Sequence, residues 1–492
     1  MFKDVARQQV YDKLREHDLR VFSEQLSYGI FVEAARRAGL RLWSCPLNLA
    51  TLAWLGVAAA WRKSESFATI LTLTLKLLQD QEHFGQSAFG QDLANKQQRC
   101  QQQAQNAKRR RQTRSKHAPH GHDPAQVSEE AFAKARQRMP LAFWIALILL
   151  LGERFEAKHA ERLRFRGFRL LALDGTRLTL PDERALRSFY GTATNSKGQH
   201  NAQARMVLLQ SPLTRLPVAY QLQPVKVGEV TMARRLAGGL RPRDLVVLDS
   251  GYLSYGLLWD IQRRKAFFCI RLQRTMNLHT VRRDPATGER WVRWTPKDSR
   301  GQWRREGLPR SIDLRLIEYQ VPGHRRIQLV TNVLSSRRLS QDDFCRLTTT
   351  AGVAEKLLPG LYHLRWQIET SYAEIKIAQQ MEGGFRSRTP AGIAFEVAGH
   401  VVLYLLVRWL IVEAAAEHKV DPLRISFTNA LRELEQMWET MVVSTPGWIA
   451  EILLPRLLQR IASHIVPLRP GRSYPRKKKA KGRKAKTKRK KG

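Results

Sequence analysis

Two aspartates in the sequence each follow an apolar run, and a glycine comes within two residues after each of them. Asp174 closes the run in LLALDG, and Asp249 closes the run in LVVLDSG. A buried strand that ends in a carboxylate must expose it, pair it or bind a cation, and ligands of α/β proteins gather at the carboxyl ends of strands. The repeated pattern predicts that Asp174 and Asp249 share a cation. The alternative for either aspartate alone is an ordinary turn after a strand, where Asp-Gly is common.

A third acid stands in the segment YHLRWQIETSYAEIK, which has the pattern of a helix. Four of its polar residues recur at helical spacing, namely Tyr362, Arg365, Glu369 and Lys376. At about 100° per residue they project within a sector of roughly 60°, at the edge of the apolar face. Charged residues at the edge of a buried helix face favour a functional site over a solvated surface. The alternative is a surface ion pair between Arg365 and Glu369 at i,i+4 spacing.

The spacing of these residues matches a known signature. Tyr-x2-Arg-x3-Glu-x6-Lys resembles the YREK signature of the insertion-sequence-4 family of DDE transposases. The strings Arg-Trp-x-Ile-Glu around Glu369, Asp-Gly-Thr at Asp174 and Asp-Ser-Gly-Tyr at Asp249 are also typical of the family, as is AFAKARQRMP upstream. The resemblance covers about residues 128–412. One departure is Ser250, where many relatives carry arginine, and this removes a phosphate contact but no metal ligand.

The resemblance implies a metal-dependent nuclease and strand transferase. Asp174, Asp249 and Glu369 would be both the catalytic residues and the metal ligands, and carboxylate oxygens suit Mg²⁺ or Mn²⁺. Two such ions in one site can activate an attacking oxygen and stabilise the leaving oxygen of an in-line phosphoryl displacement. Water would first cut the transposon end, and the freed 3′-hydroxyl would then attack target DNA.

The other residues of this segment would bind DNA. Arginine and lysine donate hydrogen bonds and do not coordinate hard cations. The resemblance therefore implies that Arg365 grips a phosphate as a fork, Lys376 acts as a point charge and Tyr362 hydrogen-bonds a phosphate oxygen, with Trp366 beside them. The implied partners are double-stranded DNA, as transposon inverted repeats and as target, and a second copy of the chain, because related transposases act as dimers on paired ends.

Strand and helix patterns around the acids predict the fold class. From residue 168 to residue 272 the order is β-β-β-α-β-α-β, and strong helical patterns follow at 353–380 and 393–416. This order predicts an α/β protein with a ribonuclease-H-like mixed sheet flanked by helices, a β-rich insertion and a helical N-terminal domain. The tryptophans of the insertion either fill a small β-core or stack on a displaced base; they are Trp291, Trp294 and Trp303.

Composition shifts divide the chain into seven predicted segments. The first is a helical N-terminal domain (1–100) that is a candidate for binding the transposon end, and a basic linker (101–127) follows it. The catalytic core comes in two parts (128–274 and 336–416, the second with the YREK helix), separated by the β-rich insertion (275–335). A C-terminal helical region (417–470) and a disordered Lys/Arg-rich tail (471–492) complete the set.

The charge of the chain indicates nucleic acid as a partner. Lysine and arginine number 84 against 43 acidic residues, a formal net charge of +41, and such a surplus repels itself unless a polyanion neutralises it. The 4 cysteines have no zinc-finger spacing, which predicts a reduced protein without structural zinc. Two apolar stretches, Leu141–Leu151 and Val397–Ala415, predict buried helices and not membrane spans. We expect a DNA-associated protein of the bacterial cytoplasm.

Two other functions are compatible with this composition. One is a transposase-derived protein that binds DNA and no longer cleaves it, although three intact acids argue against it. The other is a nuclease with the same core that selects DNA by its shape and ignores terminal repeats.

Overall fold

The computed structural model describes residues 22, 25–41, 47–71, 128–192, 201–297, 301–320, 326–347, 358–443 and 448–467. The predicted linker at 101–127 and tail at 471–492 lie outside the described residues. The limits of the predicted segments stay predictions.

Twelve strands occur in the described part of the chain. They are β1 Arg164–Phe165, β2 Phe168–Thr179, β3 Gln203–Gln210, β4 Pro217–Pro224, β5 Asp244–Leu248, β6 Phe267–Arg271, β7 Leu278–Arg283, β8 Arg290–Trp294, β9 Ile312–Tyr319, β10 Ile327–Thr331, β11 Arg346–Leu347 and β12 Leu358–Pro359.

Thirteen α-helices occur in the same ranges. They are α1 Tyr28–Arg37, α2 Leu49–Trp61, α3 Glu129–Arg138, α4 Leu141–His159, α5 Arg184–Tyr190, α6 Glu229–Ala237, α7 Tyr255–Arg263, α8 Gln302–Arg305, α9 Gln341–Cys345, α10 Gln367–Ala373, α11 Pro390–Glu417, α12 Phe427–Val443 and α13 Leu454–Ser463.

The central strands lie in the order β4-β3-β2-β5-β6. Strands β2, β3 and β4 pair antiparallel, whereas β5 runs parallel to β2 and β6 runs parallel to β5. Helices α6 and α7 supply the connections into β5 and β6 and pack on one face of the sheet. Parallel neighbours need such crossovers, and antiparallel ones need only turns. The predicted ribonuclease-H-like mixed sheet flanked by helices is confirmed.

The predicted β-rich insertion continues this sheet. Strand β10 pairs antiparallel with β6, and β9, β8 and β7 follow outward, so that one ten-stranded sheet contains β1 to β10. Its residues therefore extend the catalytic sheet and share its core.

Alternation along the central strands decides which face each side chain meets. Leu171 of β2 packs toward α6 and α7, whereas Leu170 packs with Leu364, just before α10. Because successive strand residues point to opposite faces, Asp174 shares the face of Leu170. The same alternation along β5 brings Asp249 to that side, where the segment carrying the third acid lies.

The described N-terminal helices pack into the same core as the catalytic helices. Helix α2 is buried along its length and crosses α11 at Gly56 and Gly399. A Cβ on Gly399 would lie 2.3 Å from the carbonyl oxygen of Gly56, so only glycine permits this approach. The role of residues 1–100 in binding transposon ends stays a prediction.

Helix α11 is long and apolar enough to cross a membrane by composition alone. Its most apolar 18-residue stretch has a mean hydropathy of 1.8, and all of that stretch is buried inside the protein. The helix lies between α2, α4 and α13. This agrees with the prediction that Val397–Ala415 forms a buried core helix.

Candidate active site

Asp174 lies within β2 and not at its end. The sequence predicts a strand that stops at Leu173, but β2 continues antiparallel to β3 as far as Thr179, so that predicted boundary is wrong. The parallel pairing of β2 with β5 does end there, at Leu173 opposite Leu248. Asp174 and Asp249 are the next residues on these neighbouring strands, and they stand side by side where the parallel pairing stops.

The segment that carries Glu369 is not one regular helix. Residues 353–357 of the predicted helix lie outside the described residues, and β12 precedes a 3₁₀ turn at His363–Trp366, helix α10 and a π-turn at Glu374–Ala378. The prediction of one helix over 353–380 is wrong. Placing the four polar residues within about 60° assumed about 3.6 residues per turn throughout, whereas the 3₁₀ turn has a shorter period and the π-turn a longer one.

Arg365 meets all three acids. Its Nη1 lies 3.5 Å from Oδ2 of Asp174 and 3.4 Å from Oε1 of Glu369, and its Nε lies 4.0 Å from Oδ1 of Asp249. Only 6% of the arginine side chain is exposed, against 44% for Asp249 and 40% for Glu369. A surface ion pair would leave the arginine in water, so the surface interpretation of Arg365 and Glu369 is excluded.

The three carboxylates lie around this one cation. Among the described residues, no three histidine, cysteine, aspartate or glutamate side chains lie close enough together to hold a metal ion. The guanidinium of Arg365 lies between the acids and offsets part of their negative charge. A metal ion that bound all three would require the arginine to move away.

Burial shapes the protonation of Asp174. Burial raises the pKa of Asp174 to about 6, and this exceeds the opposing effects of the backbone N–H of Gly175 and of Arg365. The N–H of Gly175 donates to Oδ1 of Asp174 at 2.8 Å. A cation that binds this carboxylate must displace its proton below about pH 6, so cation binding strengthens as the pH rises through that value.

Of the remaining predicted DNA-binding residues, Tyr362 and Trp366 lie next to the acids and Arg365, whereas Lys376 contacts β2. Tyr362 is 8% exposed and lies near Asp249, whereas the ring of Trp366 is 48% exposed with the guanidinium of Arg365 4.9 Å from its centre. Lys376 does not face open solvent: its Nζ donates to the carbonyl oxygen of Arg177 at 2.8 Å and lies 2.7 Å from Oε2 of Glu382. Lys376 thus fastens the π-turn to β2.

Glycine at position 175 leaves room for a pair of side chains that sequence reasoning missed. A Cβ there would lie 3.0 Å from the carboxyl carbon of Glu229 and 3.2 Å from the hydroxyl oxygen of Tyr252. Tyr252 donates to Glu229 at 3.4 Å. Tyr252 belongs to the Asp-Ser-Gly-Tyr string, which is the only sequence signal for this pair.

Two further groups near the third acid also escaped the sequence analysis. Tyr372, three residues after Glu369, donates to the carbonyl oxygen of Asp174. Glu374 pairs inside the core with Arg215 and Arg408. Helical spacing from Glu369 is a signal for Tyr372, but nothing in the sequence pairs Glu374 with arginines so far away in the chain.

The tryptophans of the insertion differ in their surroundings. Trp294 is buried in the core beside Tyr255, so it fills the β-core as the first of the two interpretations predicts. Trp291 donates to the carbonyl oxygen of Leu334 and stacks under the guanidinium of Arg282, 3.7 Å from its ring centre. The side chain of Trp303 lies outside the described residues.

Comparisons with known proteins point to one family. Residues 166–406 match the family model described as the transposase DDE domain. The transposase InsG for insertion sequence element IS4 of Escherichia coli K12 is 26% identical over 317 residues, which are 63% of this chain and 67% of that protein. The putative transposase InsZ of the same organism is 24% identical over 143 residues, 28% of this chain and 47% of that relative.

A solved structure is also similar. The piggyBac transposase in its synaptic complex with hairpin DNA aligns with a TM-score of 0.31 and 10% identity, over 62% of this chain and 59% of that chain.

The family match and the fold coincide along the chain. The matched residues run from just before β2 into α11 and include Asp174, Asp249 and Glu369. The relative InsG is aligned over a longer stretch than the family model. Residues 166–406 therefore form a transposase DDE domain, similar to that of the transposase InsG for insertion sequence element IS4, and this domain family comprises enzymes that catalyse DNA cleavage and strand transfer.

Proposed function

We propose that Asp174, Asp249 and Glu369 are the catalytic carboxylates of this transposase. They would cleave DNA at the inverted-repeat ends of the transposon and join the freed ends to target DNA. The observation that carries this proposal is the convergence of all three acids on the guanidinium of Arg365. Acids from two strands and a helix, remote from one another in the sequence, surround one positive charge.

The oxygen donors of the three carboxylates suit Mg²⁺ or Mn²⁺ as cofactors, and two ions would occupy the site once Arg365 has moved away from the acids. A cation, the guanidinium of Arg365, already lies between these carboxylates. When bound, the ions supply activation of an attacking oxygen and stabilisation of a leaving oxygen. Asp174, Asp249 and Glu369 would hold the ions, and the raised pKa of Asp174 means that its proton must leave first.

Arg365 would exchange one anion for another during the reaction. In the structure it offsets part of the charge of the acids, and a phosphate of DNA is another anion whose geometry suits its forked donors. Trp366, exposed beside it, presents a ring to the DNA. Tyr362 would hydrogen-bond a phosphate oxygen, and Lys376, held on β2, would add a positive charge near the strand that is cut.

Replacing Arg365 with glutamine should tighten the binding of Mn²⁺ to the protein in the absence of DNA. The arginine competes with the metal for the same carboxylates, and removing a charge about 4 Å from them favours another cation. We expect the Kd to fall about tenfold at pH 8. Isothermal titration calorimetry measures this value directly, apart from any cleavage.

Arg293→Gln is the matched control for this substitution, because it neutralises an arginine that is exposed and paired with Asp313 away from the site. Its Kd for Mn²⁺ should equal that of the parent protein. An unchanged or weakened affinity in Arg365→Gln would show that the arginine does not stand in the place of the metal.

The proposed partners are duplex DNA and a second copy of this chain. The net charge of +41 favours a polyanion as partner, by counterion release. We propose that two copies act together on paired transposon ends. The proposed location is the bacterial cytoplasm, in association with DNA.

The full-length protein should cut duplexes that carry the ends of its own element in Mg²⁺ or Mn²⁺ and should not cut them in EDTA. The check is a gel assay of end-labelled duplexes with the terminal repeats intact or scrambled. Binding without cleavage in either metal would favour the DNA-binding alternative. Cutting that follows DNA shape and ignores the scrambled repeats would favour the structure-selective nuclease.

A further inference from the structure

The backbone that carries Asp174 is tied to a tyrosine hydroxyl. Asp174 of β2 lies opposite Leu208 of β3 in the antiparallel pair. The hydroxyl of Tyr372 donates to the carbonyl oxygen of Asp174 at 2.6 Å and accepts from the backbone N–H of Leu208 at 3.1 Å. One side-chain oxygen therefore bridges the two strands at the position of the first catalytic acid.

The same tyrosine belongs to the helix of the third acid. Tyr372 follows Glu369 by three residues in α10, and residues at this spacing lie on the same side of a helix. The hydroxyl thus connects the element that holds Glu369 with the backbone of Asp174. Farther along, Lys376 fastens the π-turn to the carbonyl oxygen of Arg177 in the same strand.

The surroundings of Tyr372 exclude chemistry at its own hydroxyl. The side chain is 6% exposed. Its hydroxyl is occupied by one donated and one accepted hydrogen bond, both to backbone atoms, so a direct role as nucleophile or metal ligand does not fit.

We propose that Tyr372 is a positioning residue that sets the spacing between Asp174 and Glu369. This inference rests on the proposed function of those two acids. Both would hold the same ions, and a displacement of about 1 Å in a catalytic geometry can cost a hundredfold in rate. The hydroxyl is well placed to fix that spacing, because it binds the backbone of β2 at Asp174 itself, whereas Arg365 bridges Asp174 and Glu369 through side-chain contacts of 3.4–3.5 Å.

The test compares Tyr372→Phe with Tyr190→Phe. Tyr190 is a matched control because it is also buried, and its hydroxyl donates to a backbone carbonyl oxygen, that of Pro390, at 3.0 Å and away from the acids. Each variant keeps the ring, but Tyr372→Phe loses two buried hydrogen bonds and Tyr190→Phe loses one. Tyr372→Phe should therefore lose more thermal stability, because of the extra bond, while both proteins stay folded.

Only Tyr372→Phe should bind Mn²⁺ more weakly, with a Kd about tenfold higher. A change of this size is typical when a group that holds metal ligands in place is removed. Its kcat for cutting end DNA should fall by about tenfold or more with an unchanged KM for DNA. Equal Mn²⁺ affinity and kcat in the two variants would overturn the proposal, and so would a Tyr372→Phe protein that is unfolded while Tyr190→Phe is folded. If the parent protein neither binds Mn²⁺ nor cuts DNA, the proposed function itself fails.

Discussion

Asp174→Asn, Asp249→Asn and Glu369→Gln should each abolish DNA cleavage while leaving DNA binding intact. Each change keeps the shape of the side chain and removes one anionic metal ligand. Metal ions in such sites contribute several kcal/mol, and a tenfold rate corresponds to about 1.4 kcal/mol, so we expect a loss of about a thousandfold or more. Gel assays of cleavage, with binding measured in parallel by fluorescence anisotropy, give both quantities.

The fold should tolerate these three substitutions. Asp249 and Glu369 are well exposed, and the buried Asp174 already resists ionisation, since burial raises its pKa to about 6. A suitable control is Asp313→Asn, which neutralises an exposed acid of β9 paired with Arg293. It should cleave at the parent rate. If Asp174→Asn, Asp249→Asn or Glu369→Gln also did so, that residue would not be a metal ligand.

Glu374→Gln should destabilise the whole protein by about 3–5 kcal/mol. Glu374 accepts from Arg215 at 2.8 Å and from Tyr404 at 2.7 Å, and it also pairs with Arg408, which is completely buried. Burial alone would raise the pKa of Glu374, but Arg408 and Arg215 together hold it below its usual value. Removing the carboxylate leaves buried positive charges without a counter-ion, and urea unfolding measures the loss.

The orphaned charge can be separated from the lost contacts by a second substitution. Glu374→Leu alone leaves the guanidinium of Arg408 unpaired. The double variant Glu374→Leu/Arg408→Leu removes this guanidinium as well, so it should be more stable than Glu374→Leu. Asp313→Asn breaks an ion pair that is about half exposed and should cost less than about 1 kcal/mol. A loss in Glu374→Gln as small as in Asp313→Asn would contradict the account of this buried cluster.

The pH dependence of this cluster has a definite sign. Because the pKa of Glu374 is lowered in the folded protein, its contribution to stability is present above the ordinary glutamate pKa of 4.5. It is lost as the pH falls through the lower folded value. The cluster therefore stabilises the π-turn after Glu369 throughout the neutral range.

Local sequence patterns determined much of the catalytic core. Apolar runs of strand length predicted β2, β5 and β6, and the order of strands and helices predicted the mixed sheet. The acids Asp174, Asp249 and Glu369 were predicted from residue type, spacing and the resemblance to the insertion-sequence-4 signature. These features are local, because hydrophobic periodicity and turn chemistry act over a few residues and are legible in one chain.

The contacts of charged side chains were decided only by the tertiary structure. The sequence suggested Arg365 as a phosphate ligand, whereas in the structure it contacts three acids from separate parts of the chain. The partners of Glu374 come from a turn and a helix far along the chain. A charged side chain pairs with whichever group the packed elements bring within about 4 Å of it. The spacing of residues along the sequence does not give that distance.

For the backbone, too, the sequence predicts the type of local element, and the tertiary structure decides the details. Residue types alone predicted a strand before Asp174 and a helix around Glu369, and these are the elements that carry the two acids. The continuation of β2 past Asp174, the change from 3₁₀ to α to π turns and the bridge through Tyr372 depend on pairing with β3 and on burial against α11. The sequence by itself determined which acids the protein possesses and on which kind of element each stands. Their mutual placement was decided by the tertiary structure, because long-range hydrogen bonds and packing override local helical and strand preferences wherever the chain is buried.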